Sequence, residues 1–312
     1  MYMIDTFDGL RAVTLDQLEA FVVVARHEHV TRAAGELGLT QPSVSHHLRS
    51  LEDALGLSLF ERVGRGVRLT DDGRALAGPA AAVLAARRSF LDVAEGRTGL
   101  VVGRLAIAAS NTVGIYRLPD WLSGFVERFP GVAVNVRLVN THEAIRMVHD
   151  VAVDCALVEG PEPRQGLDEL GVEVDELVVV AAPEHPLAGL DRVRLADLSG
   201  HRYLAREPGS GTEELAAQLL GSSYRRGPVL ELGQVDAVRA AVVAGLGYAV
   251  ISLAAVADDL AARRLCLLPT GRQRLTRTLA ALRRPSSHSP SLDAFWSHLR
   301  AIATVRVDGR ST

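Results

Sequence analysis

Ten residues, Thr40 to Arg49, read TQPSVSHHLR. Gln41, Ser43, Ser45 and His46 are short polar side chains with donors and acceptors, and Arg49 carries a planar fork. Pro42 falls in the first turn of a helix, where its missing N–H costs little. Such a set suits the edges of nucleic-acid bases, and an arginine fork matches guanine or a phosphate. A second set follows in SLFERVGRGVRLT, residues 58–70, where Arg62, Arg65 and Arg68 cluster with one acid, Glu61. Arginines around a glycine turn suit phosphate, which supplies affinity and salt dependence; base contacts supply specificity.

Two further places carry binding chemistry. Ser110-Asn111-Thr112 follows an apolar run and opens a helical pattern, and so does Glu207-Pro208-Gly209-Ser210-Gly211-Thr212. Each offers hydroxyls and free backbone N–H groups to an anion beyond the carboxyl end of a strand. A third such start lies near Gln234-Val235-Asp236. Helix capping explains any one of them. Two in one domain, joined to a nucleic-acid module, point to a ligand cleft.

Catalytic, metal and cofactor sets are not expected. There is no Gly-x-Ser-x-Gly, no Gly-x-x-x-x-Gly-Lys, no His-x-x-x-His and no dinucleotide fingerprint. Cys155 and Cys266 sit among apolar residues and read as two buried thiols rather than a redox pair. No Cys/His spacing suggests zinc. His142, His149 and His185 have surface or structural readings.

The elements that must hold these residues follow from periodicity. Thr14 and Gln17 have capping-box spacing, and Leu15, Leu18, Phe21, Val22 and Ala25 recur as an apolar stripe. Thr31 opens a second helix with Ala33, Ala34 and Leu37 inward, ended by Gly38. Thr40 caps a third, whose stripe is Val44, Leu48, Leu51 and Leu55 and whose opposite side carries Pro42, His46, Arg49 and Asp53. His46 at the pole is read for contact and His47 for packing. Gly56 stops this helix, and Gly64 and Gly66 turn a hairpin. Three short helices with a polar third helix and an arginine hairpin have the layout of a winged helix-turn-helix. The alternative is a small helical bundle with a solvated charged face.

Thr70 then caps a pattern of about 25 residues with Asp71 and Asp72 at its start. Gly78-Pro79 predicts a kink. Alone, this helix would leave Leu76, Val83, Leu84 and Phe90 wet, so it is expected to pair with another. From residue 98 onward strands alternate with helices, which implies an α/β domain with largely parallel sheets. About 215 residues exceed one sheet, so two lobes are expected.

Bulk properties are permissive. The 312 residues carry a net charge of −3, and residues 1–96 hold 10 Arg against 13 acids, so any nucleic-acid case rests on local geometry. All 34 basic residues are arginine. No segment reads as a membrane span or secretion signal, so a cytoplasmic protein is expected.

Residues 21–73, FVVVARHEHVTRAAGELGLTQPSVSHHLRSLEDALGLSLFERVGRGVRLTDDG, resemble the DNA-binding domain of LysR-type transcriptional regulators. The motifs are Thr-Arg-Ala-Ala, Gln-Pro-Ser-Val-Ser, Leu-Glu-x-x-Leu-Gly and Leu-Phe-Glu-Arg. The resemblance implies DNA contacts from Thr31, Arg32, Gln41, Ser43, Ser45 and Arg49, with Arg65 and Arg68 in the wing. At His46-His47 the family often has Arg, Gln or Lys. SNTVGIYRLPDWLSGFVERFPGV, DELVVVAAPEHPLA, REPGSGT and VVAGLGYAVIS are similar to the family's effector domain, which resembles periplasmic binding proteins.

That resemblance implies three parts: a winged helix-turn-helix over 1–70, a linker and dimerisation helix over 71–97, and an effector domain over 98–312. Lobe one would span about 98–160 and 268–302, and lobe two about 161–267. The ligand would sit between Ser110/Thr112 and Ser210/Thr212. The implied partners are double-stranded promoter DNA, a small anionic or polar effector, further copies in a homodimer or homotetramer, and RNA polymerase. A solute-binding protein would need a secretion signal and no helix-turn-helix. An enzyme would need a base or nucleophile among convergent polar groups.

Overall fold

The computed structural model describes residues 13–64, 66–95, 101–221, 227–271, 275–285 and 287–308. Two units part after Glu95. The first opens with helix α1 (Leu15–His27). Its capping box forms: the Thr14 hydroxyl accepts from Gln17 N at 3.3 Å, and the Gln17 side chain accepts from Thr14 N at 2.8 Å. The buried face of α1 is Gln17, Ala20, Phe21, Val23 and Val24. This corrects the expected stripe, because Leu15 is exposed and Val22 and Ala25 are only half-buried. Three neighbouring helices pack on α1, so its covered surface is wider than one stripe and turned from it.

Helix α2 (Val30–Leu37) starts one residue before the expected Thr31; its N-cap is His29, without a side-chain bond. Gly38 ends it in the left-handed region. Helix α3 (Gln41–Leu55) is capped by Thr40, whose hydroxyl accepts from Ser43 N at 3.3 Å. Val44, Leu48 and Leu51 are buried, and Leu55 packs at the edge of the same core. Strands β1 (Phe60–Val63) and β2 (Gly66–Leu69) form an antiparallel hairpin, with Phe60 opposite Leu69. Glu52 ties α3 to it by accepting from Leu59 N at 2.7 Å. Gly66 is required by close approach: a Cβ there would lie 2.8 Å from the Glu28 carbonyl, which also accepts from Val67 N at 3.0 Å.

Helix α4 (Asp71–Glu95) is capped by Thr70 and runs through Pro79 as one 25-residue helix. Leu76 and Ala77 pack against the first unit's core, and Ala80 belongs to it. Leu84 is 7% exposed, whereas Val83 is 47% and Phe90 72% exposed. The expectation that all four apolar residues lie wet in a single chain therefore fails for Leu76 and Leu84.

The second unit contains strands β3 (Gly103–Ser110), β4 (Val132–Val139) and β5 (Cys155–Glu159), all parallel. Helices α5 (Asn111–Tyr116), α6 (Leu118–Arg128) and α7 (Thr141–His149) lie between them in sequence. Strand β3 is buried on both faces: Leu105, Ile107 and Ala109 join Trp121, Phe125 and Phe295 in one core, while Ala108 joins Ala144 and Val148 in another. That double burial explains its continuous apolar run.

A long strand, β6 (Asp168–Ala181), then leaves this lobe. Helix α8 (Leu195–Leu198), strand β7 (Tyr203–Arg206), helix α9 (Gly211–Leu220), strand β8 (Val229–Leu232) and helix α10 (Val235–Val243) follow. Strand β9 (Ala249–Ser252), helix α11 (Leu253–Ala261) and strand β10 (Cys266–Leu267) complete a second lobe. Strand β11 (Leu275–Arg283) returns to the first lobe, and helix α12 (Pro290–Asp308) packs there through Phe295, Trp296 and Leu299.

Among the described residues the main sheet runs β10-β6-β11-β5-β3-β4, with β9 also on β6. Strand β11 is antiparallel to both β5 and β6, and β9 is antiparallel to β6. The sheet is thus mixed rather than largely parallel, because the chain crosses between lobes on two strands of opposite direction. The crossings also move the lobe limits inside strands. Val172 still belongs to the first lobe's core and Leu177 to the second's; Leu275 packs with the second and Leu279 with the first. One extra residue on β6 bulges between those cores, where Leu279 faces Glu173 and Ala280 faces Gly171.

Candidate functional site

Helix α3 presents Gln41, Pro42, His46 and Arg49 exposed, with Ser43 and Ser45 half-buried beside them. The stripe that anchors the helix lies opposite, so the polar front is free of the protein's own core. Ser43 Oγ lies 2.8 Å from the Thr40 hydroxyl and is partly used in the cap. His46 is exposed and His47 half-buried, with ring centroids 6.2 Å apart. Thr31 and Arg32 are exposed in the first turn of α2. His27 at 2.5 Å and Arg26 at 2.6 Å hold Glu36, whose carboxyl lies below the usual range through these bonds, and so brace α1 to α2.

The hairpin keeps Arg62 exposed, but Arg68 is paired across the strands with Glu61, at 2.9 Å from Nε and 2.7 Å from Nη2. Arg65 lies outside the described residues.

In the second unit the two predicted hydroxyl sites come together. Ser110 caps α5, and its Oγ donates to Glu159 at the end of β5. Arg277, the third residue of β11, lies 3.6 Å from Glu159 and donates to the Thr212 hydroxyl at 2.9 Å. Asp175, directly opposite Arg277 in the β6–β11 register, accepts from its Nε at 2.8 Å and from Ser252 Oγ at 2.7 Å. Ser110, Glu159, Arg277 and Thr212 thus form one buried polar chain between the lobes. Asn111, Thr112 and Ser210 are buried beside it in sequence, and among the described residues the Thr112 hydroxyl has no hydrogen-bond partner. Gln234 stays exposed at the start of α10 with no side-chain cap bond and joins none of these contacts.

Close backbone approach explains the glycines of this junction. A Cβ on Gly211 would lie 2.3 Å from the Glu159 carbonyl, and Gly160 has φ of 106°. A cavity of about 490 Å³ is lined by Arg277 together with Gly160, Glu162, Arg164, Leu215 and Thr276 among others. Its charges have partners within the protein: Arg164 bonds Glu169, and Glu162 lies 3.5 Å from His142. Burial, then the charge of Glu162, pushes the Glu214 carboxyl up.

Sequence reasoning missed Asn140 and Thr141. Asn140 accepts from Glu143 N at 2.8 Å at the start of α7, and Thr141 donates to the Glu159 carbonyl at 3.0 Å. The signal was present, since Asn-Thr follows a strand and opens a helix just as Ser-Asn-Thr does. It also missed Glu159, Asp175 and Arg277, whose signal is a charge at an inward position of an apolar strand. The cysteines are free; Cys155 is buried, which pushes its thiol up, and Cys266 is half-buried. Among the described residues no group of three or more His, Cys, Asp and Glu has metal-site geometry. No described helix is long and apolar enough to cross a membrane.

Comparison with known proteins matches this division. Residues 15–74 match the model of the bacterial regulatory helix-turn-helix protein, lysR family, and residues 98–303 match the LysR substrate binding domain. The chain is 38% identical over 260 residues to the RuBisCO operon transcriptional regulator of Allochromatium vinosum, covering 82% of this chain and 85% of that protein. It is 36% identical to the HTH-type transcriptional regulator CfxR of Cupriavidus necator, covering 83% and 82%. Full-length OxyR from Pseudomonas aeruginosa superposes with a TM-score of 0.73 at 22% identity, covering 93% of this chain and 96% of that one. The CcmR regulatory domain of Synechocystis, solved with 2-PG, gives 0.59 at 27% identity, covering 64% and 97%. With its helix-turn-helix and its two-lobed effector-binding domain, the chain belongs to the LysR family of DNA-binding transcriptional regulators.

Proposed function

We propose that α3 enters the major groove and reads base edges with Gln41, Ser43, Ser45, His46 and Arg49, while Thr31, Arg32, Arg62 and Arg65 contact phosphates. The observation that carries this is the polar front of α3, which lies opposite the buried Val44, Leu48 and Leu51. Arg68 is a weaker contributor, because Glu61 already holds it. Val83 and Phe90 on α4 would pair two copies of the chain in the cytoplasm, and two such pairs would form a tetramer that presents to RNA polymerase.

The effector would be a small polar or anionic molecule held between Ser110, Asn111, Thr112, Ser210 and Thr212. The ligand-bound CcmR domain supports a small molecule in this half. The effector acts only if it binds the two lobe or subunit arrangements unequally. Electrophoretic mobility on operator DNA at fixed salt tests the DNA half. Ser45→Ala and Arg49→Ala should each weaken binding, by about 10-fold or more for Arg49 if it makes a bidentate base contact. Unchanged affinity in both variants removes α3 from the recognition role.

A further inference from the structure

The short helix α5 carries candidate effector groups at its start and a tyrosine at its end. Tyr116 leaves the first lobe and donates its phenol proton to Asp236 Oδ1 in the second, at 2.5 Å. Ile115 and Tyr116 also pack against the second lobe's core of Val235, Val238 and Val256. Asp236 is held in turn: Arg239 donates to it at 3.3 Å and to Asp259 at 2.9 Å, and Arg264 donates to Asp259 at 2.7 Å. On the opposite flank the lobes touch through backbone acceptors: Asn140 Nδ2 donates to the Pro208 carbonyl at 3.4 Å and His142 N to the Gly209 carbonyl at 3.3 Å. Tyr116 thus makes a charge-assisted bond between lobes that β6 and β11 join covalently.

We propose that Tyr116 and Asp236 form a built-in clasp that holds the two lobes together without an effector. Its consequence is a resting state already biased towards closure, so that an effector shifts an existing balance. The clasp is not a pH switch. Burial, then the bond to Asp236, pushes the phenol well above its ordinary range, so it stays a donor throughout the physiological range. The charged groups around it, Asp236, Arg239 and Asp259, are paired with one another.

Hydrogen exchange on the full chain tests this without any ligand, so the result does not depend on where or whether an effector binds. Tyr116→Phe keeps the ring and removes only the hydroxyl; Asp236→Asn keeps an acceptor but not its charge. Loss of a charge-assisted bond should speed exchange roughly 10-fold or more in residues 111–117, 207–212 and 234–238. Strand β3 and strand β5 should keep parental rates, and the double variant should add little to the larger single effect. Parental rates in all three segments overturn the clasp. Equal acceleration in β3 and β5 also overturns it, since Tyr116 would then serve only general stability.

Discussion

Arg277→Ala should cost the second unit more than any other single truncation at the lobe junction. Its side chain is 3% exposed, with Asp175 at 2.8 Å and Glu159 at 3.6 Å. At an effective dielectric of about 20, unit charges at these distances attract by roughly 6 and 5 kcal/mol. Desolvation offsets most of that in the intact cluster. Truncation removes the attraction and leaves two carboxylates buried, for which a loss of about 3–5 kcal/mol is expected. The readout is direct, because both tryptophans, Trp121 and Trp296, sit in one core of this unit. Their fluorescence in urea follows the second unit alone, and with a slope of roughly 2–3 kcal/mol per molar the midpoint should fall by about 1–2 M. Replacing the pair together, Asp175→Asn with Arg277→Met, should recover at least half of the loss. A midpoint shift corresponding to less than about 1 kcal/mol for Arg277→Ala would refute the claim that Arg277 neutralises this junction.

Three other outcomes are expected. Glu61→Gln should free Arg68 for DNA, tighten non-specific binding and steepen its logarithmic salt slope by about one unit; a titration across salt concentrations checks it. Thr112→Val removes a buried hydroxyl that has no partner among the described residues, so unfolding should shift by less than about 0.5 kcal/mol, while a reporter should lose effector response. Phe90→Glu should disrupt dimers in sedimentation without unfolding the first unit, whereas Leu76→Glu should unfold it, because Leu76 packs against that unit's core.

What was legible in the sequence is what chain neighbours decide. Caps at Thr14, Thr40, Thr70 and Ser110 each act on a backbone N–H three residues later, and each forms. The stripe of α3 was legible because that helix buries one side only. The stripe of α1 was not, because three helices pack on it and periodicity alone cannot tell how many neighbours a helix has. The same limit hid the lobe limits. A strand's alternation continues unchanged through β6 and β11, although the core it faces changes between Val172 and Leu177.

The lobe junction divides along the same line. Ser110, Thr112 and Thr212 were visible because hydroxyls at helix starts follow a local rule. The residues that join them were not, since Asp175 and Arg277 meet across 102 positions of sequence. This changes the chemistry asked of an effector. Seen alone, the hydroxyls read as donors waiting for an anion. In the fold the Ser110 proton already goes to Glu159 and the Thr212 oxygen already accepts from Arg277, while the Thr112 hydroxyl has no partner among the described residues. An anionic effector that uses Ser110 must therefore compete with a carboxylate the protein supplies itself, and the strength of that internal contact sets how tightly such an effector must bind before the lobes respond.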